Sequence, residues 1–129
     1  MRYVVDTVAL IRHFTNQGKI GKGASIILQE LERSGDTLFV SVISLMEILY
    51  LAEKNRIDIN LKETLSELKS SSCFTVVDLN TEILLVAENL RFSELHDRLI
   101  LATAKWLDVP IISSDRKFKH IPDVQVIWK

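Results

Sequence analysis

Five short apolar runs, "YVV" (3–5), "TLFV" (37–40), "FTVV" (74–77), "VPIIS" (109–113) and "VQVIW" (124–128), punctuate the chain, and between them lie stretches patterned at helical spacing. Runs this short and this apolar fit strands covered on both faces, because a strand open to water on one side alternates polar and apolar residues. Strands separated by helices pair in parallel, each helix carrying the chain back across the sheet. The expected fold is α/β, a three-layer α/β/α sandwich around a central, mainly parallel five-stranded sheet. Helices are expected from Thr7 to about Phe14, over 24–33 up to the stop signal "SGD", and over "TEILLVAENL" (81–90) and 94–107. A mostly buried helix from Val42 to Lys54 and a more amphipathic one from about Asn60 to Lys69 complete the set. "TNQGKIGKG" (15–23) is the one loop-like segment near the start.

With 129 residues, 47 % of them hydrophobic, and only four glycines and two prolines, residues 1–129 are expected to form one packed domain. No repeat, linker or low-complexity tract interrupts it. "MRYVVD" lacks an apolar region of signal-peptide length, and "FVSVISLMEILYLA" is broken by two serines and a glutamate, so a cytoplasmic protein without a membrane span is expected. Cys73 stands alone, which excludes an internal disulfide and a cysteine-based metal site and leaves a core thiol.

Ligands of open parallel sheets sit beyond the carboxyl ends of the strands. Asp6 directly follows "YVV" and Asp115 follows "PIISS"; taken singly, each reads equally well as an N-cap. For Glu47, "SLME" offers a capping box with Ser44, yet Val42 and Ile43 already belong to the helical pattern. Ser41 is then the better cap, and Glu47 falls in the second turn on a stripe with Ile43, Tyr50 and Leu51, partly buried and in need of a partner. Asp97 heads a stripe with Ile100, Leu101 and Ala104, while Arg98 and Lys105 share another side. The helix dipole favours an acid in a first turn by ~0.3–1 kcal/mol, which explains its tolerance but not its company. Asp78 also follows a strand but reads as structural, since Asn80 or Thr81 supplies the next cap with Glu82 in the first turn.

With these four acids in this order, the chain resembles the PIN-domain nucleases, and among them the VapC-type toxins of toxin-antitoxin pairs. The resemblance runs from "VVDTVALI" through "SVISLMEIL" and "HDRLILATA" to "IISSDRKF". It implies a PIN-like fold, a catalytic and metal-binding set of Asp6, Glu47, Asp97 and Asp115, and a hydroxyl at Ser113 two residues before the last acid. It also implies Mg2+ or Mn2+ as cofactor, RNA as substrate, a homodimer, and a cognate antitoxin as partner. Glu94, three residues before Asp97, departs from the pattern: one helical turn away, it reads either as an extra ligand or as solvating the helix start, and the second reading is preferred.

Four carboxylates in one pocket raise one another's pKa unless a counter-charge is present. Carboxylate oxygens without imidazole or thiolate suit a hard ion such as Mg2+ or Mn2+, which lowers the pKa of a bound water for in-line attack on phosphorus. No histidine is placed as the base: His96 adjoins Asp97 but points about 100° away around the helix, and His13 and His120 read as surface or supporting residues. Ser113 and Thr7 can hold a carboxylate rotamer or a bound water. Net charge is −1, which argues against a polyanion partner until four of the 17 acids are committed to an ion, when 16 bases outnumber the remaining acids by about three. Arg12, Lys19, Lys22, Arg116 and Lys117 are the candidate substrate contacts, with Lys119 close by. They would position phosphates without reading sequence.

The glycines at 18 and 23 have the spacing of a P-loop, but Ala24 occupies the lysine position and the loop follows a helix, so nucleotide binding of that kind is excluded. A phosphoacceptor receiver domain shares the length and element order, but such domains pair two adjacent acids after the first strand, and here Val5 precedes Asp6. A catalytically silent PIN-like module for RNA binding or regulation is the other alternative.

Overall fold

The computed structural model describes residues 1–129. The chain runs β1 (Arg2–Val5), α1 (Thr7–Thr15), α2 (Lys22–Ser34), β2 (Thr37–Ser41), α3 (Val42–Glu53), α4 (Leu61–Ser70), β3 (Phe74–Val77), α5 (Thr81–Glu88), α6 (Leu95–Leu107), β4 (Ile111–Ile112), a 3-10 turn (Arg116–His120) and β5 (Val126–Ile127). The strands form one sheet in the order β3-β2-β1-β4-β5, and every pair is parallel.

Strand periodicity sorts the core into two layers. Val4, Phe39 and Ile111 point to one face and pack with Ile83 and Ala87 of α5 and with Leu99, Ile100 and Leu101 of α6. Tyr3, Val5, Leu38, Val40 and Ile112 point to the other and meet Leu10 of α1, Leu28 of α2 and Leu68 of α4. Both faces of the central strands are covered, which is why β1, β2 and β4 are mainly apolar, whereas the edge strand β3 leaves Thr75 exposed. Ile100 has no exposed surface, and its truncation to Ala would cost ~2–5 kcal/mol.

Three expectations are corrected in detail. The last two strands are only two residues each. Pro110 has no N–H to donate, so it only accepts, from Val4 N at 2.9 Å, and Val109 still bonds back to Ala104 of α6. Helix α2 starts within the expected loop, at Lys22. Glycine is required beside it at 21 because a Cβ there would lie 2.1 Å from the Trp128 carbonyl oxygen, so close approach and not a turn explains it. Helix α3 is not mostly buried: Ile43, Leu45 and Ile48 face the core, but Met46, Leu49 and Tyr50 are 43 %, 42 % and 54 % exposed. Tyr50 therefore does not share the partly buried stripe expected for Glu47.

From β1 the chain steps outward to β2 and β3, then returns to place β4 on the opposite flank of β1. The carboxyl ends of β1 and β4 thus border the point where strand order reverses, the place where sheets of this type leave a crevice.

Candidate active site

Asp6 is the hinge between β1 and α1. Its N–H donates to the Ile112 carbonyl at 3.0 Å, locking it against β4, and its Oδ1 accepts from Ala9 N at 2.9 Å to cap α1. The cap uses one carboxylate oxygen and leaves Oδ2 outside it. Burial raises the pKa of Asp6; the Ser113 hydroxyl and the Ala9 N–H oppose this, Asp115 adds to it, and Arg12 exerts the smallest opposing effect.

Asp115 caps the 3-10 turn, its Oδ1 accepting from Lys117 N at 2.9 Å, while its own N–H donates to Ser113 Oγ at 3.0 Å. Ser113 is buried and so links the two strand-end acids. Both acids are helix caps and neighbours in one electrostatic unit, so the two readings of each are not exclusive.

Helix α3 delivers Glu47. Ser41 caps the helix, accepting from Ile43 N at 3.1 Å, which sets Glu47 in the second turn with its side chain 26 % exposed. Thr7 donates to Glu47 Oε1 at 2.6 Å and lies 2.9 Å from Ser44 Oγ. A hydroxyl has one proton, so the buried Ser44 must donate in the second bond. This chain of hydroxyls ties α1 to α3 and holds the Glu47 rotamer.

Helix α6 delivers Asp97 in its first turn. Its pKa is pushed up to about 6, first by burial and then by the charges of Glu94, Glu47, Asp115 and Asp6, in that order. One residue thus senses all four other acids. Glu94, read by preference as solvating the helix start, is the N-cap of α6: its Oε2 accepts from Asp97 N at 2.6 Å. The signal was an acid three residues before another at a helix start.

His96 lies between the two glutamates, Nδ1 3.7 Å from Glu47 Oε2 and 3.9 Å from Glu94 Oε1. Its turn away from Asp97 is what brings it to them. His13 is not a surface residue: it packs against Phe14 and Phe74 with ring centroids 5.6 and 6.5 Å away, and burial lowers its pKa. His120 is exposed in the 3-10 turn.

The basic candidates separate. Arg12 donates to the Lys19 carbonyl at 2.8 Å and packs against Gly18, which serves the loop, and the exposed Lys19 side chain makes no ion pair. Lys22 and Arg116 line a cavity that also includes Ser113, whereas Lys117 lines another with Arg91, Lys105 and His120. Asp78 stays outside the site; Asn80 caps α5, accepting from Ile83 N at 2.8 Å.

As the side chains stand, no three of the His, Cys, Asp or Glu residues converge tightly enough to grip an ion. The donor set nevertheless fits a hard divalent cation. It is all oxygen, and none of the five acids is ion-paired with Lys or Arg, the nearest cationic candidate being His96. Negative charge concentrated in this way is relieved by a cation.

The fold and site define an α/β domain with a group of acidic side chains near its topological switch point, contributed by two strand ends and two helices. The model of the PIN domain matches residues 3–124, and the chain belongs to that family, a group of nuclease domains generally dependent on divalent metal. Comparison with curated proteins returns no match. Among solved structures, the chain is similar to VapBC2 from Rickettsia felis bound to a DNA fragment from their promoter, with 19 % identity, a TM-score of 0.73 and 98 % of each chain covered. It is also similar to a toxin-antitoxin complex from Klebsiella pneumoniae, with 25 % identity, a TM-score of 0.67 and 97 % and 95 % covered. A third is VapBC-1 from nontypeable Haemophilus influenzae, with 22 % identity, a TM-score of 0.68 and 98 % and 97 % covered. No helix of the chain is long and apolar enough to cross a membrane.

Proposed function

We propose that this chain is a Mg2+- or Mn2+-dependent endoribonuclease of the VapC toxin type, working in the cytoplasm and held in check by an antitoxin protein. The observation that carries the reading is the gathering of Asp6, Glu47, Glu94, Asp97 and Asp115 from separate elements with no Lys or Arg paired to any of them; burial first, and then the other four charges, push the Asp97 pKa up to about 6. Asp6, Glu47, Asp97 and Asp115 are the residues proposed to hold the ion. When bound, such an ion supplies an activated water and charge stabilisation for phosphodiester hydrolysis.

The chain's own groups have definable tasks. Thr7, backed by Ser44, keeps Glu47 turned toward α1. Ser113 couples the positions of Asp6 and Asp115. Glu94 fixes the Asp97 backbone and supplies the strongest like charge against it. The negative potential of such neighbours raises the affinity of a carboxylate for any cation, and above the raised pKa a divalent ion takes the place of the proton. Arg12, Lys22, Arg116 and Lys117 are proposed to attract the RNA backbone, Arg12 through its charge beside Asp6.

Support for the antitoxin is the similarity to chains from VapBC and other toxin-antitoxin complexes. Support for a homodimer is the exposed apolar set on α3, together with Leu84 and Leu85 of α5. The test is incubation of the purified protein with single-stranded and structured RNA in Mn2+, in Mg2+ and in EDTA, beside Asp6→Asn and Asp97→Asn. Cleavage that needs the ion and falls on the order of 100-fold or more in both variants supports the reading. RNA binding without cleavage would favour the silent module, and phosphorylation of a single Asp the receiver.

A further inference from the structure

A cavity of about 560 Å³ has Ser113 in its lining. The N-terminus of α2, the Ser113–Ser114 turn, the 3-10 turn and the chain around Trp128 form its walls. Lys22, Arg116, Lys119 and Lys129 line it, and no Asp or Glu side chain does. None of the four is ion-paired with an acidic side chain.

The placement follows from geometry. Residues three apart eclipse one another in a 3-10 turn. Arg116 and Lys119 therefore share the face that lines this cavity, while Lys117 and His120 share the face that lines the cavity on the other side. Lys22 reaches the same space from α2, whose first turn is pinned to the end of β5 by the bond from Ala24 N to the Trp128 carbonyl at 3.1 Å. The wall is backbone against backbone at Gly21, so Lys22 stands on a fixed base. Ser113 and Ser114 add hydroxyls and Trp128 an aromatic ring. Ser113 lines the cavity, accepts from Asp115 N and bonds Asp6, so it joins the cavity to the strand-end acids.

We propose that this cavity is a backbone-phosphate subsite, holding a phosphate of the single-stranded RNA that flanks the bond at the acidic group. The inference rests on the ribonuclease reading and adds to it a side from which the strand arrives. Four Lys and Arg side chains without an Asp or Glu among them suit a phosphate diester, hydroxyls can donate to its oxygens, and the partly buried Trp128 indole in the lining offers the adjacent base an aromatic surface. The acids repel the strand at the point of chemistry and the cations hold it beside that point, which fixes its register.

The test compares wild type with the double variant Arg116→Ala/Lys119→Ala, with Lys22→Ala, and with Lys62→Ala/Lys69→Ala on α4 as a remote control. Binding of a fluorescent single-stranded oligoribonucleotide is measured in EDTA across a salt series, and cleavage in Mn2+ on that oligonucleotide and on a dinucleotide. Removing one cation that neutralises a phosphate lowers the slope of log K against log salt by ~0.7, so the double variant should lose about 1.4 and Lys22→Ala about half of that. The double variant's kcat/KM should fall roughly ten-fold on the oligonucleotide and by less on the dinucleotide, which has no flanking phosphate to hold. Arg116 and Lys119 are exposed, so unchanged melting temperatures are expected and folding does not confound the result. Cleavage by wild type with unaltered slopes and rates in both variants would overturn the subsite, as expected of a cavity that receives an acidic group of a protein partner. Wild type that neither binds nor cleaves RNA would overturn the ribonuclease reading, and the subsite with it.

Discussion

Glu94 Oε2 accepts the backbone N–H of Asp97 at 2.6 Å, so the residue that caps α6 is also the like charge that most disfavours ionisation of the acid one turn on. Cap and perturbation are separable by mutation. Glu94→Gln keeps a carbonyl oxygen for the cap and removes the charge, so the Asp97 pKa should drop from about 6 toward the ordinary carboxylate range in a carboxyl-carbon NMR titration. Glu94→Ala should show the same drop and in addition lose ~0.5–2 kcal/mol of stability in urea unfolding.

The elevated pKa makes a signed prediction for the metal-free protein. Asp97 binds its proton more tightly folded than unfolded, so its protonation favours the fold. That contribution is fully present below the unfolded value near 3.8 and is lost as pH rises through about 6. Above pH 6 the charged residue is a net cost to the fold. Asp97→Asn should therefore raise the melting temperature of the metal-free protein at pH 8 by ~2–4 °C and flatten its pH dependence between pH 4 and 6, about the change expected from ~1 kcal/mol. Thermal melts in EDTA across that range check it.

Thr7 offers a structural control that does not alter charge. Thr7→Val removes the donor to Glu47 Oε1 and leaves the buried Ser44 hydroxyl without its acceptor, costing ~1–3 kcal/mol. Thr7→Ser retains both bonds and should stay near wild type. If Glu47 needs the hydroxyl for its rotamer, RNA cleavage falls in Thr7→Val and recovers in Thr7→Ser, which a Tm and kcat series would register.

Much of the fold is legible in the chain itself. The strands β1 and β2 are buried on both faces, so "YVV" and "TLFV" announce a covered parallel sheet, while "FTVV" forms its partly open edge. Once the sheet is parallel, acids at its carboxyl ends have only one place to be. Ser41 as the cap of α3 follows from where the apolar pattern begins, and that fixes the turn of Glu47. What stays hidden depends on residues distant in sequence. The approach of Trp128 to Gly21 decides where α2 starts, and no local pattern near Gly21 encodes it. The exposed side of α3 is not readable because a helix apolar all round does not say which face the core leaves uncovered. His96 and Glu94 are read as peripheral when each is weighed against Asp97 alone, because Glu47 arrives from another helix.

The proposed homodimer makes the exposed residues of α3 its test. Leu49→Lys places a charge between Met46 and Tyr50 without entering the core, so light scattering at high micromolar concentration should report a dimer for wild type and a monomer for the variant. A wild type that scatters as a monomer would remove the dimer and leave the acidic site untouched.

Calorimetric titration of the metal-free protein with Mn2+ at pH 7.5, wild type beside Asp97→Asn, bears most directly on whether the acids of four separate elements act as one cation site. Saturable binding to wild type, weakened ~10-fold or more by the substitution, is the predicted result. No binding to wild type, or equal affinity for both proteins, would contradict it.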